Sequence, residues 1–183
     1  MSQTPYEVTL LSADDADALL AELAGLLHAC VQGGASVSFV LPYTPEDAQA
    51  YWRAKVLPGV AGGALALWVA RQDGRVAGSV QLDCDTPPNQ PHRAEVRKLL
   101  VHPDFRRRGI ARALLAEAEA MAGRRGRSLI TLDTRTGDSA EPLYASMGYR
   151  TVGTIPGFSR DPRDAGKLDA TTIMYKQLVR PGA

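Results

Sequence analysis

The chain has 183 residues, 45% of them hydrophobic and 22% charged, with a formal net charge of +1. That length buries a full core in one domain over residues 1–183 without disulfides or metal, and no low-complexity tract argues for disorder. The near-neutral charge counts against a general nucleic-acid binder, and the longest apolar stretch, AGGALALWVA, meets Arg71 and Asp73 too soon to span a membrane.

The opening MSQTPYEVTL lacks the basic-then-apolar layout of a leader, so a cytoplasmic protein is expected. Residues 6–12 read as a strand. Ser12 then caps a helix, with Asp15 three positions on, and Leu19, Leu20, Leu23, Leu26 and Leu27 follow as one buried stripe. QGGASVSF breaks that helix into a loop. Thr44, Pro45 and Asp47 mark the start of another. ALALWVARQDGRVAGSVQLD has the form of a hairpin turning at Asp73 and Gly74. TPPNQPHR is a polar loop, and in AEVRKLLVH the alternation puts Glu95, Arg97, Leu99 and Val101 on one face of a strand. Gly109 to about Met121 reads as a helix with Ile110, Ala113, Leu114 and Ala118 inside. SLITLDT is a strand, SAEPLYASMG a short helix with a glycine stop, and YRTVGTIP and TTIMYKQL are late strands around a long loop. The order β-α-α-β-β-β-α-β-α-β-β is that of a mixed α/β domain.

Charge is unevenly spread. Residues 1–52 contain seven acids and no Lys or Arg, whereas residues 93–127 hold ten Lys/Arg against four acids. That basic half surrounds RRRGIARALL, where a strand ending in LLVHPDF leads through Arg106, Arg107, Arg108, Gly109, Ile110, Ala111 and Arg112 into a helix. Backbone N–H groups at such a helix start lack intrahelical partners and lie at the positive end of the helix dipole, where a phosphate is stabilised. Gly109 and Ala111 allow close approach of the backbone, and the arginines add attraction. Neither GxxxxGK[ST] nor GxGxxG is present, which excludes a nucleotide P-loop and a dinucleotide fingerprint. A solvated basic helix start is the plainer alternative.

VHPDFRRRGIARALL resembles the acetyl-CoA-binding signature of the GNAT acyltransferases, Arg/Gln-x-x-Gly-x-Gly/Ala after the fourth strand, and PLYASMGY resembles the family's second signature, Leu-Tyr-x-x-x-Gly-Phe/Tyr. GGASVSF, ALWVA, RAEVRKLLV, LDT, GDSAE, GTIPGF and TTIMYK extend the resemblance over most of the chain from Gly33 onward, toward a member that acetylates a β-lactam toxin. Gly137 departs from the pattern, standing where many members have an asparagine that contacts the cofactor.

The resemblance implies a mostly antiparallel, twisted central sheet, splayed between its fourth and fifth strands and flanked by helices. It implies acetyl-CoA as donor, coenzyme A as product, a small-molecule amine or hydroxyl as acceptor, and room for a homodimer, without nucleic acid, membrane or metal. It assigns the cofactor to Leu99, Leu100, Val101 and residues 106–112. Glu95 is implied as general base, Asp133 as a second carboxylate and Tyr144 as proton donor to the departing thiolate. A carboxylate with a pKa near ~4 is a weak base for an ammonium, so a water relay or burial has to help. Other roles stay open: Glu95 pairing with Arg93 or Arg97, Asp133 bracing a strand end, Tyr144 as a core aromatic. The histidines read as structural or solvated, and nothing at fixed spacing supports Cys84 as an acyl carrier. GGASVSF and GFSRDPRDAGKLDA are the expected acceptor walls. A peptide acetyltransferase and a non-catalytic acetyl-CoA sensor are the competing readings.

Overall fold

A computed structural model describes residues 6–178; residues 1–5, part of the stretch read for a leader, and residues 179–183, the end of the single-domain span, lie outside it. Strand β1 (Glu7–Leu10) leads into α1 (Ala13–Ala18) and α2 (Leu20–Gln32). Ser12 caps α1 as its spacing predicts: its Oγ accepts from the Asp15 amide at 3.1 Å, and the Asp15 carboxylate accepts from the Ser12 amide at 3.2 Å. The single helix expected here is broken at Leu19, whose ψ of 7° ends α1. The break lets α1 pack on α4 (Leu57–Ala61) while α2 lays Leu23, Leu26, Leu27 and Val31 inward. Helix α3 (Pro45–Tyr51) starts on the predicted Thr44–Asp47 capping box and runs through a π-helical turn, Trp52–Val56, into α4.

Strands β2 (Leu65–Gln72) and β3 (Arg75–Asp83) form the predicted hairpin, followed by β4 (Arg93–Val101), α5 (Ile110–Arg124), β5 (Leu129–Arg135), α6 (Ala140–Ser146), β6 (Arg150–Arg160) and β7 (Leu168–Gln177). The seven strands make one sheet in the order β1-β2-β3-β4-β5-β7-β6. Only β4 and β5 run parallel, and they pair at just three positions, Arg93 opposite Leu129, Ala94 opposite Ile130 and Glu95 opposite Thr131. Beyond Glu95 the two strands part. One core, with Trp68, Leu82, Val96, Leu114, Leu115 and Ile130, lies between the sheet and α5; the other, with Leu23, Leu27, Trp52, Leu67 and Leu100, lies under α2 and α3. Full burial of each such side chain contributes about 1.5–3 kcal/mol, so the first turns of α5 are firmly anchored on the sheet.

The predicted common face of Glu95, Arg97, Leu99 and Val101 does not form. Arg97 stands opposite Gln81 but Leu100 opposite Ser79, so Lys98 and Leu99 together face the single residue Val80. This is a β-bulge, with Lys98 at φ 48°. The extra residue reverses the alternation: Ala94 and Val96, then Leu99 and Val101, face the α5 side, while Leu100 joins the core under α2. The late loop is also shorter than the sequence suggests. Gly157 to Arg160 belong to β6 and Leu168 to Ala170 to β7, leaving residues 161–167 as the hairpin tip.

Gly78 on β3 makes the tightest fit beneath α5. A Cβ there would lie 2.8 Å from the Leu100 carbonyl, 3.0 Å from Ile110 Cγ2 and 3.1 Å from Leu114 Cδ1. Gly78→Ala is expected to destabilise the protein by about 1–3 kcal/mol, read in urea as a lower midpoint with an unchanged slope. An unchanged midpoint contradicts this packing.

Candidate active site

The gap between β4 and β5 opens a cavity of about 1400 Å³ whose wall includes the C-terminal half of β4, the start of α5, the end of β5 and α6. At one end, β4 passes through a 3₁₀ turn, Pro103–Phe105, into Arg106 and then α5. Arg107 (φ 64°) and Gly109 (φ 85°) are both left-handed, which folds the chain back sharply enough to begin the helix at Ile110. Gly109 supplies no capping side chain, so the first amides of α5 have no intrahelical or side-chain acceptor from that cap. Arg106, Arg107, Gly109, Ile110, Ala111 and Arg112 line this end together with Leu99, Leu100 and Val101. The Val101 carbonyl accepts from Cys30 Sγ at 3.5 Å and Arg106 Nε at 3.4 Å, tying α2 to the same corner. Arg112 donates to Ser146 Oγ at 2.7 Å, linking α5 to the end of α6.

Arg108 is the exception among the three arginines. It does not line the cavity; its guanidinium donates to the Asp104 carbonyl at 2.9 Å and lies 5.1 Å from the Phe105 ring centroid. Gly137, in the turn before α6, donates its amide to Glu141 Oε2 at 2.8 Å.

At the other end stand the carboxylates. Glu95 is held by Arg97, whose Nε and Nη2 reach its two oxygens at 3.0 and 3.3 Å, and Arg93 Nη1 lies 3.6 Å away. Arg97 also binds Asp83, buried at the end of β3, at 2.7 Å. Asp133 Oδ2 lies 3.2 Å from the Thr171 hydroxyl, whose one proton is shared with the Thr134 carbonyl at 3.0 Å. Tyr144 is 6% exposed and lines the same cavity. Burial raises its pKa well above the ordinary tyrosine value, and the nearby Asp133 and Asp138 charges raise it further.

Thus Glu95, Asp133 and Tyr144 share one cavity with the basic turn. Residues 33–39, the GGASVSF loop, line it as expected; the late segment does not, although its Ser159 and Arg160 line a smaller pocket of about 220 Å³ with Ser36, Ser38 and Phe39. Its tip instead braces that wall, with the Leu41 amide donating to the Pro162 carbonyl at 2.8 Å and Arg163 Nη2 to the Gln32 carbonyl at 2.9 Å. Sequence reasoning missed Asp83, Gln81, Tyr51 and Lys98, all on the cavity wall. The partner of Arg97 on β3 becomes visible only with the strand register. The histidines lie apart from this wall: His28 is 3.2 Å from Gln32, and His102 accepts the Asp104 amide at 3.2 Å.

Residues 63–151 match the model of a family described as an acetyltransferase (GNAT) domain. Human N-acetyltransferase 8 is 39% identical over 88 residues, 47% of this chain and 39% of that protein. Acetyltransferase ECA0875 of Pectobacterium atrosepticum is 39% identical over 88 residues, 48% of this chain and 59% of that protein. The matched stretch thus spans well under two thirds of either curated relative. Among solved structures, a GCN5-related N-acetyltransferase from Kribbella flavida superposes with a TM-score of 0.75 at 25% identity, over 94% of this chain and 98% of that one. The yncA protein of Salmonella typhimurium, solved with its cofactor acetyl-CoA, superposes with a TM-score of 0.74 at 19% identity, over 97% and 96%. A basic turn at the start of α5, a sheet parted between β4 and β5 and these similarities agree: the chain has the fold of the GNAT acetyltransferases, and its residues 63–151 are similar to that family's domain.

Proposed function

We propose that the protein transfers the acetyl group of acetyl-CoA directly to the amine of a small molecule. The observation that carries this reading is one cavity that holds an uncapped helix start with arginines, the Glu95 and Asp133 carboxylates, and Tyr144 within reach of the Asp133 charge. The donor's chemistry fits the residues: a pyrophosphate suits the amides of Ile110, Ala111 and Arg112 with the Arg106, Arg107 and Arg112 guanidiniums, and no side chain on Gly109 obstructs it. Acetyl-CoA supplies an activated thioester when bound. The β4 backbone from Leu99 to Val101, no longer paired with β5, has polar groups available on the cavity side.

Between the two implied bases, the hydrogen bonding favours Asp133. Both Glu95 oxygens are engaged by guanidiniums, which occupy the positions an acceptor's ammonium would need. Asp133 Oδ2 has only a share of the Thr171 hydroxyl proton, and Oδ1 is left to receive the acceptor's ammonium. Glu95, with Arg97 and Asp83, serves as a fixed electrostatic frame. Tyr144 keeps its proton on the phenolic oxygen at neutral pH and therefore acts as a neutral hydrogen-bond donor.

The braced wall supports a small acceptor over an extended peptide: Pro162 and Arg163 are hydrogen-bonded to Leu41 and Gln32, the two ends of the segment that lines the cavity. The resemblance of GGASVSF, GTIPGF and TTIMYK to a tabtoxin acetyltransferase supports a toxin- or antibiotic-inactivating role as the finer reading. Among the described residues no helix is long and apolar enough to cross a membrane.

Thiol release from acetyl-CoA over amino acids, β-lactam toxins, aminoglycosides and peptides tests the activity; donor binding without thiol release on any acceptor contradicts it and favours a sensor. Asp133→Asn is expected to lower kcat by about 10²–10⁴-fold, and Glu95→Gln by much less. The reverse order moves the base to Glu95. Tyr144→Phe is expected to lower kcat by about 10²-fold, with little change in the KM for acetyl-CoA; full activity removes the donor role.

Direct transfer also requires that no cysteine carry the acyl group. Burial pushes the Cys30 thiol up to about 11 from its ordinary 9.0, so at pH 8 it holds about a hundredth of the usual thiolate. In native protein Cys30 is expected to react with iodoacetamide at least about 100-fold more slowly than in urea, with the rate still rising above pH 9. Mass-spectrometric mapping of the label reads this directly.

A further inference from the structure

Four described non-glycine residues have positive φ: Ser38, Asp73, Lys98 and Arg107. Asp73 makes the β2–β3 turn and Arg107 belongs to the basic turn before α5. The other two meet inside the cavity: Lys98 Nζ, on the β4 bulge, donates to Ser38 Oγ, on the GGASVSF loop, at 2.9 Å. Each such conformation costs on the order of 1–3 kcal/mol and persists where the surroundings over-determine it, commonly at ligand sites. A β-bulge re-aims the side chain it carries.

The Lys98 ammonium lies 5.6 Å from the Phe39 ring centroid and 5.7 Å from that of Tyr51, and those two rings meet edge-on at 5.1 Å. Two rings and a hydroxyl fix the cation in place, yet none of them is a counter-ion. Among the described residues no carboxylate lies within ion-pair distance of Lys98, whereas its neighbour Arg97 is shared by Asp83 and Glu95, and Arg135 by Asp138 and Asp169. Lys55 and, in the basic turn and α5, Arg106, Arg107 and Arg112 also border the cavity without a carboxylate partner among the described residues, but all four are exposed. Burial lowers the Lys98 pKa, with the Asp133 charge acting against it. Ser38 takes one of the three ammonium protons and leaves two for a ligand.

We infer that Lys98 is the anion-binding residue of the acceptor subsite, so that the acceptor is an amine that also carries a carboxylate. This deepens the acetyl-transfer reading, on which it rests for the attack by the amine but not for the anion contact. The amine faces Asp133 while the carboxylate completes the coordination of Lys98, and the two contacts fix the orientation of the acceptor. A charge-assisted hydrogen bond in such a site changes affinity by about 10- to 100-fold.

The test uses matched pairs, each an amino acid and the amine left by its decarboxylation: leucine and isoamylamine, phenylalanine and phenethylamine, lysine and cadaverine. Calorimetry measures their binding to the coenzyme A-loaded protein, and thiol release from acetyl-CoA measures turnover separately. At least one amino acid is expected to bind about 10- to 100-fold more tightly than its decarboxylated partner. Lys98→Gln, which keeps a donor for Ser38 but not the charge, is expected to bring the pair within about 3-fold, and Lys98→Arg to restore part of the preference. Lys98→Met, with a melting curve, gives a second neutral variant should the first fail to fold. A preference absent from the wild type, no binding by any amino acid, or a preference that survives both neutral substitutions overturns the proposal. Equal loss for both members of a pair with a lowered melting temperature also overturns it, because it marks Lys98 as a pin for the loop. Carboxylate-dependent binding without thiol release upholds the subsite and removes the activity; thiol release indifferent to the carboxylate does the opposite.

Discussion

The site depends on β4 and β5 pairing at three positions and then separating. Two parallel strands joined along their whole length leave no space between them. Here the ladder ends at Glu95, and the polar groups of both strands beyond it need other partners or water. Helix α5 holds the parted geometry, anchored by Ile110, Leu114, Leu115 and Ala118 on the sheet, so that its uncapped start faces the opening. Separation and helix position are two sides of one packing solution. The cavity follows from both.

Much of this was legible in the chain. The Ser12 and Thr44 capping boxes, the Asp73–Gly74 hairpin and the apolar stripe of α5 are local signals, and each appears at its expected place. The basic turn and Tyr144 were also readable, since their residues lie within short stretches whose spacing carries the pattern. The bulge was not. Alternation in AEVRKLLVH looks regular, and only the register against Ser79 and Gln81 reveals the extra residue at Lys98. The Arg97–Asp83 pair and the Lys98–Ser38 bond join residues 14 and 60 positions apart, distances at which no local rule operates. Arg108 shows the converse error, because a run of three arginines suggests one role for all while backbone direction turns the third away.

The electrostatic layout separates fixed charge from available charge. Asp83, Glu95 and Arg97 saturate one another and form a rigid polar floor, whose members are strongly committed to their partners. Asp133 and Lys98 are only partly satisfied, and Tyr144 is held neutral beside them. Chemistry belongs to the second group. The first keeps that group in register by fixing the β3–β4 edge against which the bulge forms.

The wall of the acceptor end has a different mechanical character. It is joined to the β6–β7 tip by the Leu41–Pro162 and Arg163–Gln32 hydrogen bonds, between segments more than a hundred residues apart in sequence. Two net hydrogen bonds are worth about 1–3 kcal/mol together, far less than the packing that holds α5. The junction with the β6–β7 tip is therefore the weakest seam of the cavity, while Ala35, Val37, Phe39 and Leu41 keep the wall itself packed on the core under α2.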